Sequence, residues 1–290
     1  MSADLASADL AIGKVHRRPI SALDVVRYVA AVLIVIFTLM PILFVITGGF
    51  KTNGQLNVNA AALPNPWILD NYVYVGTSPL FWRFLLNSIL VSAGCTTLTM
   101  VLGAMTAYAL SRYRFRGREA IYSLFTIGLL FPLSVAVLPV YLQLHALHLL
   151  DNAFGVIIPQ VAFSMPITII ILRPFMAAIP GELQDAAEID GATKLTFFWR
   201  ILLPLSRPAL VTVAVLAFIT SWNSYLLPLL VFNDQNHFTL PIGVAAFQTQ
   251  FNQDTVKVLA FTSLSVIPAL LFFLALERQI VGGLTGSVKG

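Results

Sequence analysis

Six long apolar runs divide this chain, and each is long enough to cross a lipid bilayer. A membrane helix needs roughly 20 apolar residues to span about 30 Å of hydrocarbon. The runs lie at 25–47, 86–110, 120–142, 154–173, 208–231 and 257–276, and none has an acidic residue in its middle. Only 10% of the residues are charged and 58% are hydrophobic, whereas soluble domains carry about 25% charged residues. The sequence therefore predicts an all-α polytopic membrane protein with six transmembrane helices.

The basic residues are divided unequally between the two sets of connections. Of the 17 Lys and Arg, only Lys51, Arg83 and Lys257 fall outside the termini and the second and fourth connections. Because cytoplasmic loops are enriched in Lys and Arg, we expect both termini and these two connections in the cytoplasm. The arginines at 112, 114, 116 and 118 are interpreted as an orientation determinant, not as a nucleic-acid site. We interpret residues 1–24 as a cytoplasmic tail and not as a cleavable signal peptide, because the apolar run that follows is too long.

A polar, helix-forming segment lies in the fourth connection. Pro180 and Gly181 open it, and Gly191 ends it as a glycine just past a helix should. Residues 182–190 would form a helix about 13 Å long. The segment holds four of the chain's 13 acidic residues, and the first two would lie in the first helical turn, where they offset the helix dipole: Glu182, Asp185, Glu188 and Asp190.

The composition of this segment is typical of a docking helix on the water side of a membrane protein. Ala186 and Ala187 would leave one face nearly bare of side chains, so that another protein could approach the backbone. A second short helix is predicted over Lys194–Leu203, ending before Pro204. An ordinary amphipathic connection between two spans is the alternative, since short amphipathic helices are common.

The sequence shows no apparatus for chemistry. The one cysteine, Cys95, lies inside the second apolar run and is expected to pack as a small apolar residue. His145 and His148 have no acidic or cysteine neighbour close enough in sequence to complete a metal site. No Gly-rich phosphate loop and no nucleophilic set is present. We therefore expect no catalytic residue, no metal and no bound cofactor in this chain.

The polar residues inside the apolar runs are neutral. Ion-coupled carriers usually place charged residues at membrane depth, and none is evident here. Neutral hydrogen-bonding groups beside aromatic rings suit a neutral, hydroxyl-rich solute. The alternative is hydrogen bonding between helices, worth about 0.6 kcal/mol per contact. The candidate pathway residues are Ser134, Gln160, Ser221, Trp222, Asn223 and Tyr225.

Prolines occur within the predicted spans, and two of the predicted outer connections are long. Prolines at 132, 139, 159, 166 and 228 predict kinks in the third, fourth and fifth spans. The connection at 48–82, rich in Gly, Asn and Pro, predicts an irregular segment with little burial. The connection at 232–256 combines amides with aromatic residues, which favours contact with a soluble partner or a solute. A plain solvated connector remains the alternative.

The fourth connection resembles the signature of a family. In this chain it runs Asp185-Ala186-Ala187, Asp190-Gly191-Ala192, Phe198, Ile201, Leu203-Pro204 and Pro208, similar to the E-A-A, D-G-A and I-x-L-P pattern of permease subunits of binding-protein-dependent ABC importers. The match is to the MalG-like carbohydrate-uptake group. Further resemblances are Asn71-Tyr72, Asn87-Ser88, Tyr108 to Arg112, Trp222-Asn223 and the tail from Gly283. Asp185 stands where the family usually has Glu, which shortens the reach of that carboxylate by one methylene.

The resemblance implies the type I ABC importer permease fold and a division into four regions. These are the tail 1–24, the first span and outer loop 25–82, a transmembrane core 83–276 with the coupling helix at 180–204, and a cytoplasmic tail 277–290. The coupling helix would dock on an ATPase dimer that binds ATP and Mg, and a MalF-like second permease would complete the pathway in the inner membrane. The residues implied for ATPase coupling are Glu182, Asp185, Ala186, Ala187, Glu188, Asp190, Gly191, Ala192, Phe198 and Pro204. Those implied for contact with the solute-binding protein are Phe238, Phe247, Gln248, Gln250 and Phe251.

Three functions follow from this interpretation. The first is a sugar-importer permease without enzymatic activity of its own. The second is the same machinery for a glycerol phosphodiester or a polyol, for which phosphate would favour basic residues in the pathway. The third is a secondary carrier or channel, which predicts intramembrane charge or repeated halves.

Overall fold

The computed structural model describes residues 22–250 and 254–286, and every regular element among them is helical. Two compact units are distinguished, one ending at Phe44 and one beginning at Val45. The helices are α1 (Ala22–Gly49), α2 (Asn53–Val58), α3 (Asp70–Thr77), α4 (Pro79–Arg112), α5 (Arg118–Gly128), α6 (Leu133–Ala146), α7 (Ala153–Ala178), α8 (Glu182–Ile189), α9 (Lys194–Phe197), α10 (Leu203–Leu205), α11 (Arg207–Trp222), α12 (Leu226–Val231), α13 (Leu240–Gln250) and α14 (Thr255–Gly286).

The membrane-spanning character predicted from the sequence is confirmed. Within the described residues, α1, α4, α7 and the 255–276 part of α14 are each long and apolar enough to cross a bilayer. The count is six if two sharply bent helix pairs are each one span: α5 with α6, bent by 104°, and the 194–205 stretch with α11, bent by 80°. The second span is longer than predicted, since α4 covers Pro79–Arg112. The last apolar span ends at Leu276, and the helix itself continues to Gly286, so the start of a tail at 277 stays a prediction.

Two predicted spans are broken, not continuous. The 120–142 run forms α5 and α6, which meet at an angle of 104° around Pro132. The 208–231 run forms α11 and α12, separated by Asn223, Ser224 and Tyr225. Pro228 has no N–H to donate to the carbonyl four residues before it, at Ser224, and its ring collides with that carbonyl in a regular helix. Each break therefore has a proline as its physical cause.

Small residues bring α4 and α7 into close contact. A Cβ atom on Gly103 would lie 2.2 Å from Thr168 Cγ2, and one on Gly94 would lie 2.9 Å from Ile157 Cδ1. Ala107 of the same helix is completely buried. Such small residues let two backbones approach in a membrane, where packing replaces the hydrophobic effect as the main attraction between helices.

The 48–82 connection is ordered and partly buried, which corrects the prediction of an irregular segment. It contains α2 and α3, and Val75 is completely buried. Lys51 is 1% exposed, and its ammonium donates to the carbonyls of Ala60 at 2.7 Å and Asn59 at 3.4 Å. Asn71 Nδ2 donates to the carbonyls of Gly49 and Lys51, both at 2.9 Å. The buried Lys51 ammonium and the buried Asn71 amide thus donate to carbonyl groups of this connection that have no partner within a helix.

The Lys51 contacts lead to a prediction about this outer segment. Changing Lys51 to Met keeps an unbranched apolar side chain but removes the charged donor to the carbonyls of Ala60 and Asn59, which costs about 1–3 kcal/mol. Amide hydrogen exchange in 50–62 should accelerate roughly 5- to 100-fold, the same free energy expressed as an opening equilibrium. Lys194→Met is the control, because Lys194 lies on α9 and its ammonium contacts the Tyr113 ring and not the 50–62 segment. Unchanged exchange in 50–62 of Lys51→Met would contradict this role.

Candidate coupling and pathway sites

The predicted cytoplasmic helix is present as α8, Glu182–Ile189, with Asp190 as its C-terminal cap. Gly191 has φ +80°, a left-handed conformation that glycine adopts without steric cost. The N–H of Gly191 donates to the Glu188 carbonyl at 3.0 Å, and that of Ala192 donates to the Ala187 carbonyl at 2.9 Å. These two bonds form a Schellman motif, which satisfies carbonyls at the helix end. The predicted role of Gly191 as helix terminator is confirmed.

The outer face of α8 is acidic and faces solvent. Its acidic residues are all exposed, and none forms an ion pair within the described part of the chain: Glu182, Asp185, Glu188 and Asp190. Ile189 is 86% exposed at the end of the same helix. This surface therefore carries four carboxylates without an ion-pair partner among the described residues, beside the exposed side chain of Ile189. It is available for contact with a partner.

Two residues implied for ATPase coupling face inward instead. Ala187 is 7% exposed and Phe198 is 2% exposed, and both lie in one apolar cluster with Met176 of α7 and Val213 of α11. Ala186 is exposed. The prediction that both alanines present a bare face to another protein is therefore wrong for Ala187, whose small size lets α8 approach its own chain. Phe198 likewise anchors the segment from inside.

The second short helix continues further than predicted. Thr193 caps α9 by accepting a hydrogen bond from the Thr196 N–H at 3.2 Å. A π-helical turn, Phe198–Leu202, follows and leads directly into α10, so the helix runs through Pro204 and not up to it. A regular α-helix would place the Pro204 ring against the Arg200 carbonyl. The wider π turn accommodates the proline, and π turns of this kind often mark functional sites.

Two candidate pathway residues bind each other inside the chain. Ser221 Oγ donates to Gln160 Oε1 at 2.6 Å, and both side chains are buried. This is the helix-to-helix hydrogen bond that the sequence left open as an alternative. Trp222 is 5% exposed and stacks on Phe218, with ring centroids 5.4 Å apart. Its assignment to the pathway is corrected to a packing role.

The remaining candidates lie at the two breaks in the spans. Asn223 and Tyr225 lie in the non-helical stretch between α11 and α12, and both are exposed. Ser134 is exposed in the first turn of α6, just after the other break. Non-helical backbone at membrane depth is tolerated only where protein covers it or where it lines a water-filled cavity. The breaks are therefore the best candidates for a polar pathway surface, and the role of these three residues stays a prediction.

The outer ends of the bundle meet at Asp151. This residue has φ 52°, and its carboxylate accepts hydrogen bonds from the N–H groups of Asn233 at 2.5 Å and Asp234 at 2.9 Å. On the other side of the same segment, Asn87 Nδ2 donates to the carbonyls of Asn236 at 2.8 Å and Phe238 at 3.0 Å. Segment 233–240 is thereby fixed to α4 and to the connection before α7, which the sequence did not predict.

The residues implied for binding-protein contact are only partly described. Phe238 is half-buried, with its ring centroid 6.0 Å from that of Phe84, so much of its surface packs within the chain. Phe247, Gln248 and Gln250 lie on α13, and Phe251 lies outside the described residues, as does most of the N-terminal tail. Contact of these residues with a binding protein stays a prediction.

The Asp151 contacts make the outer segment sensitive to acid. The backbone N–H of Asp234 holds the pKa of the Asp151 carboxyl below its ordinary value of 3.8, helped by Asn233 and opposed by burial. A carboxyl with a lowered pKa in the folded state stabilises fully above pH 3.8, and this contribution is lost as the pH falls through the lowered pKa. Amide exchange at 233–237, corrected for its intrinsic rate, should therefore accelerate below pH 3.8 in the native chain.

Asp151→Asn tests the same point at neutral pH, because it removes the negative charge from the acceptor of the Asn233 and Asp234 N–H groups, and hydrogen bonds to a neutral acceptor are weaker than those to a charged one. We expect faster exchange at 233–237 at neutral pH and a smaller acid step, because the Asp234 carboxyl, whose pKa is lowered by the Asn236 N–H, still titrates in this segment. Asp70→Asn, at an exposed position outside this network, should keep the native profile. An unaltered acid profile in Asp151→Asn would exclude Asp151 as the cause.

Sequence reasoning missed three residues with several contacts. They are Lys51, Asp151 and Tyr108 of α4, whose hydroxyl donates to the Lys194 carbonyl at 3.2 Å. Asp151 and Tyr108 bond to backbone 82 and 86 residues away, and Lys51 bonds to a carbonyl nine residues away in an irregular stretch, so helical spacing carries no trace of these contacts. No group of three or more His, Cys, Asp or Glu suited to a metal is found among the described residues, and Cys95 is buried.

Broken spans and a small-residue helix crossing describe a polytopic membrane protein, and the capped helical unit in the fourth connection is where the sequence resembles a permease signature. The family model for the inner membrane component of binding-protein-dependent transport systems matches residues 99–280. The chain belongs to this family.

Similar proteins agree with that membership. The diacetylchitobiose uptake system permease protein NgcG of Streptomyces coelicolor is 34% identical over 252 residues, covering 86% of this chain and 83% of the relative. The arabinooligosaccharides transport system permease protein AraQ of Halalkalibacterium halodurans is 34% identical over 262 residues, covering 89% and 93%. The crystal structure of a bacterial ABC transporter that imports the acidic polysaccharide alginate contains a chain with TM-score 0.77 and 23% identity, covering 88% of this chain and 95% of that one. The predicted permease fold is thus confirmed.

Proposed function

We propose that this chain is one permease subunit of an ATP-driven importer for a neutral oligosaccharide. It works with a second, MalF-like permease in the inner membrane and keeps both termini in the cytoplasm. A soluble binding protein delivers the sugar at the outer side. An ATPase dimer, which holds the ATP and Mg, drives the cycle from the cytoplasmic side, and this chain performs no hydrolysis itself.

The acidic outer face of α8 is the observation that carries the ATPase assignment. Glu182, Asp185 and Glu188 are exposed and without an ion pair within the described residues, while Ala187 holds the helix against its own chain. A capped helix that packs against its own chain on one side and is exposed on the other can transmit a displacement imposed by a partner. Because Asp185 is exposed, its carboxylate is free to take the role that Glu has in the family, despite its shorter reach.

The sugar assignment rests on the relatives and on the polar groups at the breaks. Two relatives are named as permeases for diacetylchitobiose and arabinooligosaccharides. Asn223 and Tyr225 offer an amide and a phenol, which can bind hydroxyl groups and pack on the apolar face of a sugar ring. The apolar runs carry no central charge, which disfavours an acidic solute or a phosphodiester in the part of the pathway that this chain forms.

The proposal is tested by reconstituting the chain with its partner permease, ATPase and binding protein. Cysteine at Ile189 should crosslink to the ATPase, whereas cysteine at Gln235, an exposed residue of the outer segment, should not. Uptake of labelled neutral oligosaccharides should exceed uptake of an acidic oligosaccharide and of glycerophosphodiesters. A crosslink to the ATPase from Gln235 alone, or ATP-independent uptake, would rule out the proposed arrangement.

The break between α11 and α12 carries a prediction of its own. Asn223→Ala removes one amide from the candidate pathway and should lower uptake by roughly 5- to 50-fold, the equivalent of about 1–2.3 kcal/mol. The yield of assembled complex should stay near that of the native chain, because Asn223 is exposed. Ser221→Ala is the matched comparison, since it breaks the buried bond to Gln160 and should lower thermal stability together with uptake. Equal losses of uptake and assembly in Asn223→Ala would favour helix packing over solute contact.

A further inference from the structure

The cytoplasmic unit 182–205 is attached to the spans by one apolar cluster. Ala187 of α8 and Phe197 and Phe198 at the start of the π turn enter it from the unit. Tyr108 of α4, Met176 of α7 and Val213 of α11 enter it from the spans. All of these residues are at most 7% exposed. Apolar packing of this kind holds the unit in place but has little directional preference.

A chain of hydrogen bonds adds direction to this contact at α4. Tyr113 Oη donates to Tyr108 Oη at 2.7 Å, and Tyr108 Oη donates to the Lys194 carbonyl at 3.2 Å. Among the described residues, this last bond is the only side-chain hydrogen bond between α4 and the 182–205 unit. Successive hydrogen bonds polarise and strengthen one another. The bond to Lys194 is thus supported by its neighbour and is partly buried.

The Tyr108 ring is held as firmly as its hydroxyl. Its centroid lies 5.1 Å from that of Phe198 in a stacked arrangement and 5.2 Å from that of Tyr113 in an edge arrangement. The Lys194 ammonium lies 4.9 Å from the centre of the Tyr113 ring. The same lysine therefore contacts one tyrosine through its side chain and the other through its backbone carbonyl, which clamps the first turn of α9 to the end of α4.

The outer end of α4 is clamped in a comparable way. Ser88 Oγ accepts from the Leu240 N–H at 2.7 Å, and Asn87 donates to two carbonyls of the 236–238 stretch. Ser88 and Tyr108 are separated by about 30 Å of helix at 1.5 Å per residue, which is the thickness of the hydrocarbon core. One unbroken helix thus carries a polar clamp at each face of the membrane.

We propose that Tyr108 is a positioning residue that transmits displacement of the 182–205 unit to α4, and through α4 to the outer segment 233–240. This inference rests on the proposed function, because it assumes that the ATPase moves the unit. The hydrogen bonds of the Tyr108 hydroxyl fix the direction of the contact between α4 and the unit, and the Tyr108 ring contributes apolar packing. α5 and α6 cannot transmit a displacement in this way, because a bend of 104° separates them.

Tyr108→Phe separates the two contributions, because it keeps the ring and removes both hydrogen bonds of the hydroxyl. We expect an assembled, stable transporter in which sugar transported per ATP hydrolysed falls at least 5-fold. Tyr113→Phe is the matched control, since it removes one phenol from the same cluster but leaves the Tyr108 bond to Lys194, and it should lose less than 2-fold. A purely structural role would lower assembly and leave the ratio of transport to hydrolysis unchanged.

A spectroscopic measurement tests the clamp without relying on the ATPase. Spin labels at Met105 of α4 and Ile189 of α8, both exposed, are introduced into a Cys95→Ala background of the full transporter. The native chain should give one narrow distance distribution without nucleotide, and Tyr108→Phe should broaden it clearly while Tyr113→Phe does not. Equal widths in all three chains would overturn the inference, whatever the ATPase does. An ATPase that fails to associate with the native chain would instead overturn the proposed function.

Discussion

Replacing Gly191 with valine should uncouple the transporter while leaving the protein in the membrane. At φ +80° an L-residue costs about 1–2 kcal/mol, and a β-branched one is a genuine outlier. That strain opposes the two hydrogen bonds that close the end of α8 and lowers the population of the capped helix by a factor of about 5–30. Sugar uptake should fall by a similar factor, with basal ATP hydrolysis retained. Reconstituted uptake and hydrolysis, measured side by side, provide the check.

Two further variants, Gly191→Asn and Gly181→Val, are the controls for this experiment. Gly191→Asn should recover most of the uptake, because Asn tolerates the left-handed conformation. Gly181→Val should behave like the native chain, since Gly181 has φ −67° and a Cβ atom added there would meet no other atom within 4 Å. If Gly181→Val and Gly191→Val lost uptake equally, side-chain bulk and not backbone conformation would be the cause. Full uptake by Gly191→Val would show that the cap is not needed.

Replacing Gly155 with alanine should destabilise the outer end of the bundle more than any other single methyl addition. A Cβ atom there would lie 2.1 Å from the Leu149 carbonyl oxygen and 3.1 Å from Val231 Cγ1. The carbonyl cannot withdraw easily, since the Leu149 N–H is bonded to Leu144 O at 2.9 Å and the Asp151 N–H to Val231 O at 2.9 Å. Overpacking of this kind costs about 1–3 kcal/mol or more, and we expect the upper end here.

Thermal unfolding of the purified complex, followed by size-exclusion fluorescence, measures the Gly155 effect. Gly76→Ala is the matched control, because Gly76 lies inside α3 with nothing within 4 Å of its added methyl. There alanine should be neutral or stabilising by about 0.5–1 kcal/mol, the usual helical preference over glycine. If the Gly155→Ala complex unfolded at the same temperature as the native complex, the turn at Leu149 would be able to move aside without a cost in stability.

Much of the architecture follows from local sequence because bilayer thickness and helix capping are local constraints. The length of an apolar run sets a span, and Gly191 ends α8 through its own backbone freedom. The two breaks are harder to place, since proline is tolerated inside α7 at 159 and 166 but lies at the break at 132. What separates these cases is whether neighbouring helices satisfy the freed carbonyls. That is a property of the tertiary structure.

The residues of the candidate site likewise fall into two groups, those whose environment follows from local sequence and those whose environment depends on the tertiary structure. The acids of α8 could be predicted because their exposure follows from their charge. The inward turn of Ala187 and Phe198 could not, because an alanine suits a bare surface and a tight core equally well. The clamp at Tyr108 depends on the Lys194 carbonyl, 86 residues away, and a backbone carbonyl has no identity in the sequence. Contacts of that kind require the fold to be known.

If α8 docks on an ATPase as proposed, its four carboxylates also make the strength of that contact depend on the ionic strength around it. Exposed charges are screened beyond a Debye length of about 8 Å at 0.15 M salt and about 3 Å at 1 M. If a basic groove receives this helix, association slows and dissociation becomes easier as the cytosol concentrates. In the proposed arrangement, a cell that loses water under osmotic stress would therefore weaken the contact between the ATPase and this permease, and import would slow.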